Sequence, residues 1–176
     1  MQKQDVLAGI VSLGLGIATS AILAADQRPG VPQALAVAAG QALVLKASAK
    51  GVQIYTCSAG ADGRPAWTLK APEADLFDAA GKKIGTHYAG PTWESTDGSK
   101  VGAAVKARAD APAANSIPWL LLEAKSHSGN GILAHVATVQ RIDTAGGAAP
   151  EQACDAGGGE QRVPYTATYY FYAAAP

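Results

Sequence analysis

The densest collection of chemically capable side chains lies in residues 85–101, GTHYAGPTWESTDGSKV, which hold His87, Tyr88, Trp93, Glu94, Asp97 and Lys100. An imidazole acts as acid, base or metal ligand near neutral pH. An indole face stacks on a sugar or an aromatic ring. If 83–89 is a strand, His87 and Ala89 face one way and Tyr88 the other. His87, Tyr88, Trp93 and Glu94 are therefore the candidate ligand-binding residues. The bland alternative has His87 bonded to a backbone carbonyl, Trp93 filling the core edge and Asp97-Gly98 turning a hairpin. The other two histidines offer less. His127 reads as a residue of a hairpin tip, and His135 as a mid-strand residue beside Leu133, Ala137 and Val139. The spacing of the three matches no short zinc or copper motif, and His87 with His135 is the first pair to consider as ligands.

Nucleophilic and acid–base chemistry finds little support. There is no GxSxG, and Ser126-His127-Ser128 places Ser beside His only in sequence, which is not triad geometry. Glu94, Asp97, Glu123, Asp75 and Asp78 supply carboxylates without a diagnostic pairing. Gly14-Leu15-Gly16 begins like a dinucleotide loop but lacks the third glycine and a following βαβ unit. No catalytic residue is assigned, and the sequence leaves the cofactor open.

The elements that must position these residues read as strands. Runs at 42–48, 52–57, 67–69, 74–77, 83–89, 101–107, 117–125, 132–142 and 163–172 are split by turn signals such as Lys50-Gly51, Asp62-Gly63, Asp97-Gly98 and Asn130-Gly131. The stretch 103–114 is Ala-rich enough for a short helix. Residues 144–159 read as a long loop. In the last strand Tyr165, Ala167, Tyr169 and Phe171 share one face, while Thr166, Thr168, Tyr170 and Tyr172 share the other. The expected fold is all-β: a single-domain antiparallel β-sandwich or barrel with long loops.

Composition sets the outer limits. The chain has 176 residues, 14 Lys+Arg against 14 Asp+Glu, 48% apolar residues, 20 Gly and 10 Pro. That is one ordinary domain. A neutral chain lacks the basic excess that nucleic-acid binding needs. Residues 6–24 carry no charge, follow a short n-region with Lys3, and end in Leu23-Ala24-Ala25; residues 1–24 read as a secretory signal peptide. A retained anchor is the alternative, weakened by Gly9, Gly14 and Gly16. No stable membrane span is expected after processing. Residues 25–41 form an extended N-terminal arm, and 42–176 the β-rich domain. Cys57 and Cys154 fall in the mature part, and in an oxidising compartment the pair most simply forms one disulfide. The alternatives are two free thiols or a reactive or metal-binding thiol.

Assembled, the segments 51–57 (GVQIYTC), 83–101, 117–124 (IPWLLLEA), 132–150, Cys154 and 165–172 (YTATYYFY) resemble a secreted bacterial and fungal family of unknown function. Its members are sometimes labelled malate dehydrogenase, a label at odds with the missing nucleotide loop. The resemblance implies an exported β-rich domain with its two cysteines paired, and no activity. Three readings follow. The first is a secreted or periplasmic, non-enzymatic module binding a small molecule, glycan or envelope component. The second is a hydrolase or metal-dependent enzyme built on His87, Tyr88, Trp93 and Glu94. The third is a self-assembling surface protein, a homo-oligomer, with the arm at 25–41 donated between subunits.

Overall fold

Alternation along the last strand sets the two faces of the sheet. In the computed structural model, which describes residues 28–60, 62–155 and 159–175, Tyr165, Ala167, Tyr169 and Phe171 point into the core, and Tyr170 and Tyr172 point out. The signal-peptide reading of 1–24 lies outside the described residues, as does the start of the arm.

Eight antiparallel strands follow one another around a single sheet: β1 (Gln41–Ala59), β2 (Pro65–Phe77), β3 (Lys83–Tyr88), β4 (Thr92–Ser95), β5 (Lys100–Ala109), β6 (Trp119–Ser128), β7 (Val136–Gly146) and β8 (Glu160–Ala174). Each pairs with the next, and β8 returns to β1 over a long ladder from Gln41↔Ala174 to Thr56↔Glu160, so the sheet closes as a barrel. The all-β, single-domain, antiparallel expectation holds.

The strands are longer and fewer than the turn signals imply. The expected split at Lys50-Gly51 is absent, because Gly51 sits mid-strand where a Cβ would strike the backbone of Glu73 and Ala74; its glycine permits close approach, not a turn. Residues 67–69 and 74–77 likewise merge into β2. The helix expected within 103–114 gives way to β5, whose Ala side chains pack in a ladder rather than a helix. Residues 92–95, outside the runs read as strands, are the short strand β4.

Strand direction puts the β1–β2, β3–β4, β5–β6 and β7–β8 connections at one end of the barrel, its upper end. The lower end is closed by Val101, Leu133 and Val136. There Asp97 ties two loops together: its carboxylate accepts from Ser99 N (2.9 Å), Ser99 Oγ (2.6 Å) and Ile132 N (2.8 Å), and Ser99 Oγ accepts from Leu133 N (3.0 Å). Those hydrogen bonds, led by the Ser99 hydroxyl, lower the Asp97 pKa to about 2.

The segment before β1 folds on its own barrel. A 3₁₀ turn at Gln33–Leu35 inserts the fully buried Leu35 against β5 and β6. Gln140 Nε2 donates to Leu35 O (2.6 Å), and Tyr172 Oη donates to Gln140 Oε1 (3.0 Å). Val31 and Val37 cover Ile142, Tyr170 and Tyr172. The outer aromatic face of β8 is thus a covered surface.

Cys57 and Cys154 are disulfide-bonded across 97 residues, with Cα atoms 5.8 Å apart. The bond pins the β7–β8 loop to β1, and Trp67 Nε1, donating to Gln152 O (3.0 Å), ties the same loop to β2. A disulfide fits an extracellular or other oxidising compartment. Among the described residues no helix is long and apolar enough to cross a membrane.

Candidate functional site

β3 and β4 form a short hairpin, and its pairing divides the sequence-predicted quartet between two faces. His87 and Trp93 are direct cross-strand partners and both point inward. They are 2% and 1% exposed. Their rings stack at 4.4 Å with an interplanar angle of 9°, and Tyr169 meets both edge-on at 5.3 and 5.4 Å. Tyr88 and Glu94 stand on the outer face. There Tyr88 Oη donates to Glu94 Oε2 (2.9 Å), and Lys100 Nζ pairs with the same oxygen (3.0 Å). The bonds from Lys100 and Tyr88 hold the Glu94 carboxyl below its ordinary value. The imidazole of His87 and the carboxylate of Glu94 therefore do not share a space.

His87 Nδ1–H donates to Thr92 O (2.8 Å), which leaves Nε2 as an acceptor. Burial lowers its pKa to about 3, the Thr92 bond opposing and the Arg141 charge assisting. The ring is neutral at physiological pH. His127 is not in a hairpin tip but near the end of β6, where its ring Nε2 bonds Val136 O (2.7 Å). His135 is not mid-strand but an exposed turn residue before β7. Among the described residues no three His, Cys, Asp or Glu side chains group as metal ligands.

Above the β3–β4 turn the barrel wall is incomplete. β3 covers β2 only from Ala74 to Phe77, and β4 pairs with β5 only at Lys100–Gly102. The upper parts of β2 and β5 face each other across a notch. Behind it lies a cavity of about 430 Å³ with His87 and Trp93 in its wall, Gln53, Tyr55 and Arg141 deeper, and the exposed Leu69 and Val105 at its rim. Eight-stranded barrels have interiors that either fill with side chains or hold one small ligand, and this volume is in the range of ligand pockets.

The polar groups at this end are unevenly served. Tyr55 Oη donates to Gly147 O (2.7 Å). Tyr165 and Tyr169 hydroxyls lie 3.5 Å apart, and burial raises the pKa of both. Arg141, 9% exposed, donates from Nε and Nη2 to Pro118 O at 3.2 and 2.9 Å. Gln53 Nε2 and Trp93 Nε1 are buried with no acceptor at full hydrogen-bond geometry, the Tyr165 hydroxyl facing Gln53 and the Tyr169 hydroxyl facing Trp93 and Arg141. Motif reading does not reach Arg141, Gln53, Tyr55 or Tyr169. A signal for Arg141 is nevertheless present: it shares strand parity with Val139, an inward position where a charge is out of place.

Fold and site together define a closed antiparallel β-barrel with a half-open polar and aromatic cavity at one end. The chain matches the family described as a protein of unknown function (DUF3455) over residues 38–173, and it belongs to that family. No curated protein and no solved structure matches it.

Proposed function

We propose that the protein is an exported, non-enzymatic binding module that takes a small molecule into the cavity of its barrel. The observation that carries this reading is the notch above the short β3–β4 hairpin, opening on a cavity of about 430 Å³ walled by His87, Trp93 and Tyr169. Of the four residues singled out in the sequence, His87 and Trp93 belong to this site; Tyr88 and Glu94 buttress the hairpin from outside. The uncharged segment at 6–24 and the Cys57–Cys154 bond support export to an oxidising compartment.

The test is a thermal-shift panel of organic acids, sugars, neutral aromatics and metal ions against the oxidised protein. A ligand at 100 times its dissociation constant adds about 2.7 kcal/mol, or roughly 5–10 °C for a domain of this size. The shift is expected to vanish in Val105→Trp, which obstructs the rim. A flat response across the panel, or shifts that Val105→Trp leaves intact, defeats the reading. Mass spectrometry of the exported protein, showing an N-terminus near residue 25, checks the localisation.

A further inference from the structure

We infer that the cavity is selective for an organic oxyanion, a carboxylate or phosphate ester, whose charged group is held by Arg141 and whose apolar body lies against the rim of Leu69 and Val105. The inference rests on the binding reading above and adds the charge of the ligand.

The cavity holds a buried positive charge and, among the described residues, no carboxylate to meet it. Arg141 is a buried cation, and among the described residues no carboxylate pairs with it: the ion pairs of the molecule join other side chains. Nε and Nη2 bond the one carbonyl of Pro118, and the Tyr169 hydroxyl faces the guanidinium as a second neutral acceptor. The remaining donors of the fork are of the kind that grip an oxyanion. A buried guanidinium with only neutral acceptors is costly to keep. Two further donors at the same cavity, Gln53 Nε2 and Trp93 Nε1, are buried with no acceptor at full hydrogen-bond geometry, and face only the Tyr165 and Tyr169 hydroxyls. Buried donors of this kind are rarely left unsatisfied in folded proteins.

Among the described residues no Asp or Glu lines the cavity. Its other basic residues stand at the edge: Arg108 is exposed at the rim, and Lys70 is engaged with Glu160 at 2.7 Å. The excess is thus of positive charge, deep inside, behind an apolar rim of Leu69 and Val105. An acceptor-rich head with an apolar or aromatic body complements both parts.

The experiment is calorimetry on the oxidised wild-type protein with four probes of similar size: benzoate, phenyl phosphate, benzamide and benzamidine. Benzoate or phenyl phosphate is expected to bind at least about tenfold tighter than benzamide, since bonds to charged groups are worth more than neutral ones. Benzamidine is expected to bind weakest. Which of the two anions wins tells carboxylate from phosphate recognition. Arg141→Gln and Arg141→Met are expected to erase the preference, benzoate and phenyl phosphate falling to the affinity of benzamide or below. A purely structural tie between Arg141 and Pro118 would not produce charge selectivity in the wild-type protein, so the probe series decides even if both variants unfold. Benzamide binding as tightly as benzoate, or a preference surviving in Arg141→Gln, overturns the inference and leaves the binding module standing. The inference also fails, alone, if none of the four binds while other compounds of the panel do so in a manner blocked by Val105→Trp. If nothing binds at all, both readings fall.

Discussion

His87 is an imidazole carried far from its solution behaviour by burial. Its pKa of about 3 means that the folded protein excludes a proton which the unfolded chain accepts below pH 6.5. The stability associated with the neutral ring is therefore complete above about pH 6.5 and lost progressively as pH falls toward 3. His87→Phe, which keeps a flat ring against Trp93, is expected to flatten the stability–pH curve over that window, as read by urea denaturation at stepped pH. Asp97 acts in a separate, more acidic window. Its depressed pKa contributes stability above about pH 4 that fades as pH falls through about 2, and Asp97→Asn should remove that component alone. Trp93→Ala is the severe change: deleting a fully buried indole costs about 3–5 kcal/mol, visible as a lowered urea midpoint. At this scale the sequence is half legible. Strand parity puts His87 and Tyr88 on opposite faces. It does not say that Glu94 stands outside with Tyr88, because the turn at 89–91 has first to be seen as joining two strands. Arg141 has no local motif around it; its meaning comes from the absence of a carboxylate contributed by distant strands.

Glycine governs much of what the sequence conceals about the elements. Gly51 has the look of punctuation and is instead a point where β1 and β2 approach too closely for a side chain. Gly51→Val is expected to destabilise by about 1–3 kcal/mol or more through overpacking, measured by chemical denaturation, where a turn glycine with free space around it would tolerate Ala far better. The Ala-rich β5 shows pairing overriding helix preference. The hairpin of β3 and β4 is hidden because four-residue strands carry almost no periodic signal. The segment before β1 has its own device: Leu35 is buried against the outside of the barrel, not within it. Leu35→Ala is expected to cost about 2–5 kcal/mol while leaving the far-ultraviolet circular dichroism of the barrel unchanged. The unpaired upper edges of β2 and β5 carry Pro65, Lys70 and Pro72 on one side and Lys106 and Arg108 on the other. Proline and like charges on both edges oppose strand addition and zipping of the notch.

For the molecule as a whole, the disulfide joins the first strand to the last loop. A closed loop of 97 residues is worth about 4–5 kcal/mol in the chain-entropy model. The Cys57→Ser, Cys154→Ser double variant, or reduction of the wild type, should lower the melting temperature accordingly and loosen residues 147–155. The fold class is legible because turn signals and aromatic strand patterns are local. Closure of the ladder is not, since it depends on β1 meeting β8 from opposite ends of the chain. One more property follows from that meeting. Ala175 N bonds Gly40 O (2.8 Å), and Arg28 reaches Gln41 O (2.6 Å), so the described chain enters and leaves at the end remote from the notch. A fusion partner or solid support joined at Arg28 or Ala175 would leave the opening pointing outward, free to sample the surrounding fluid.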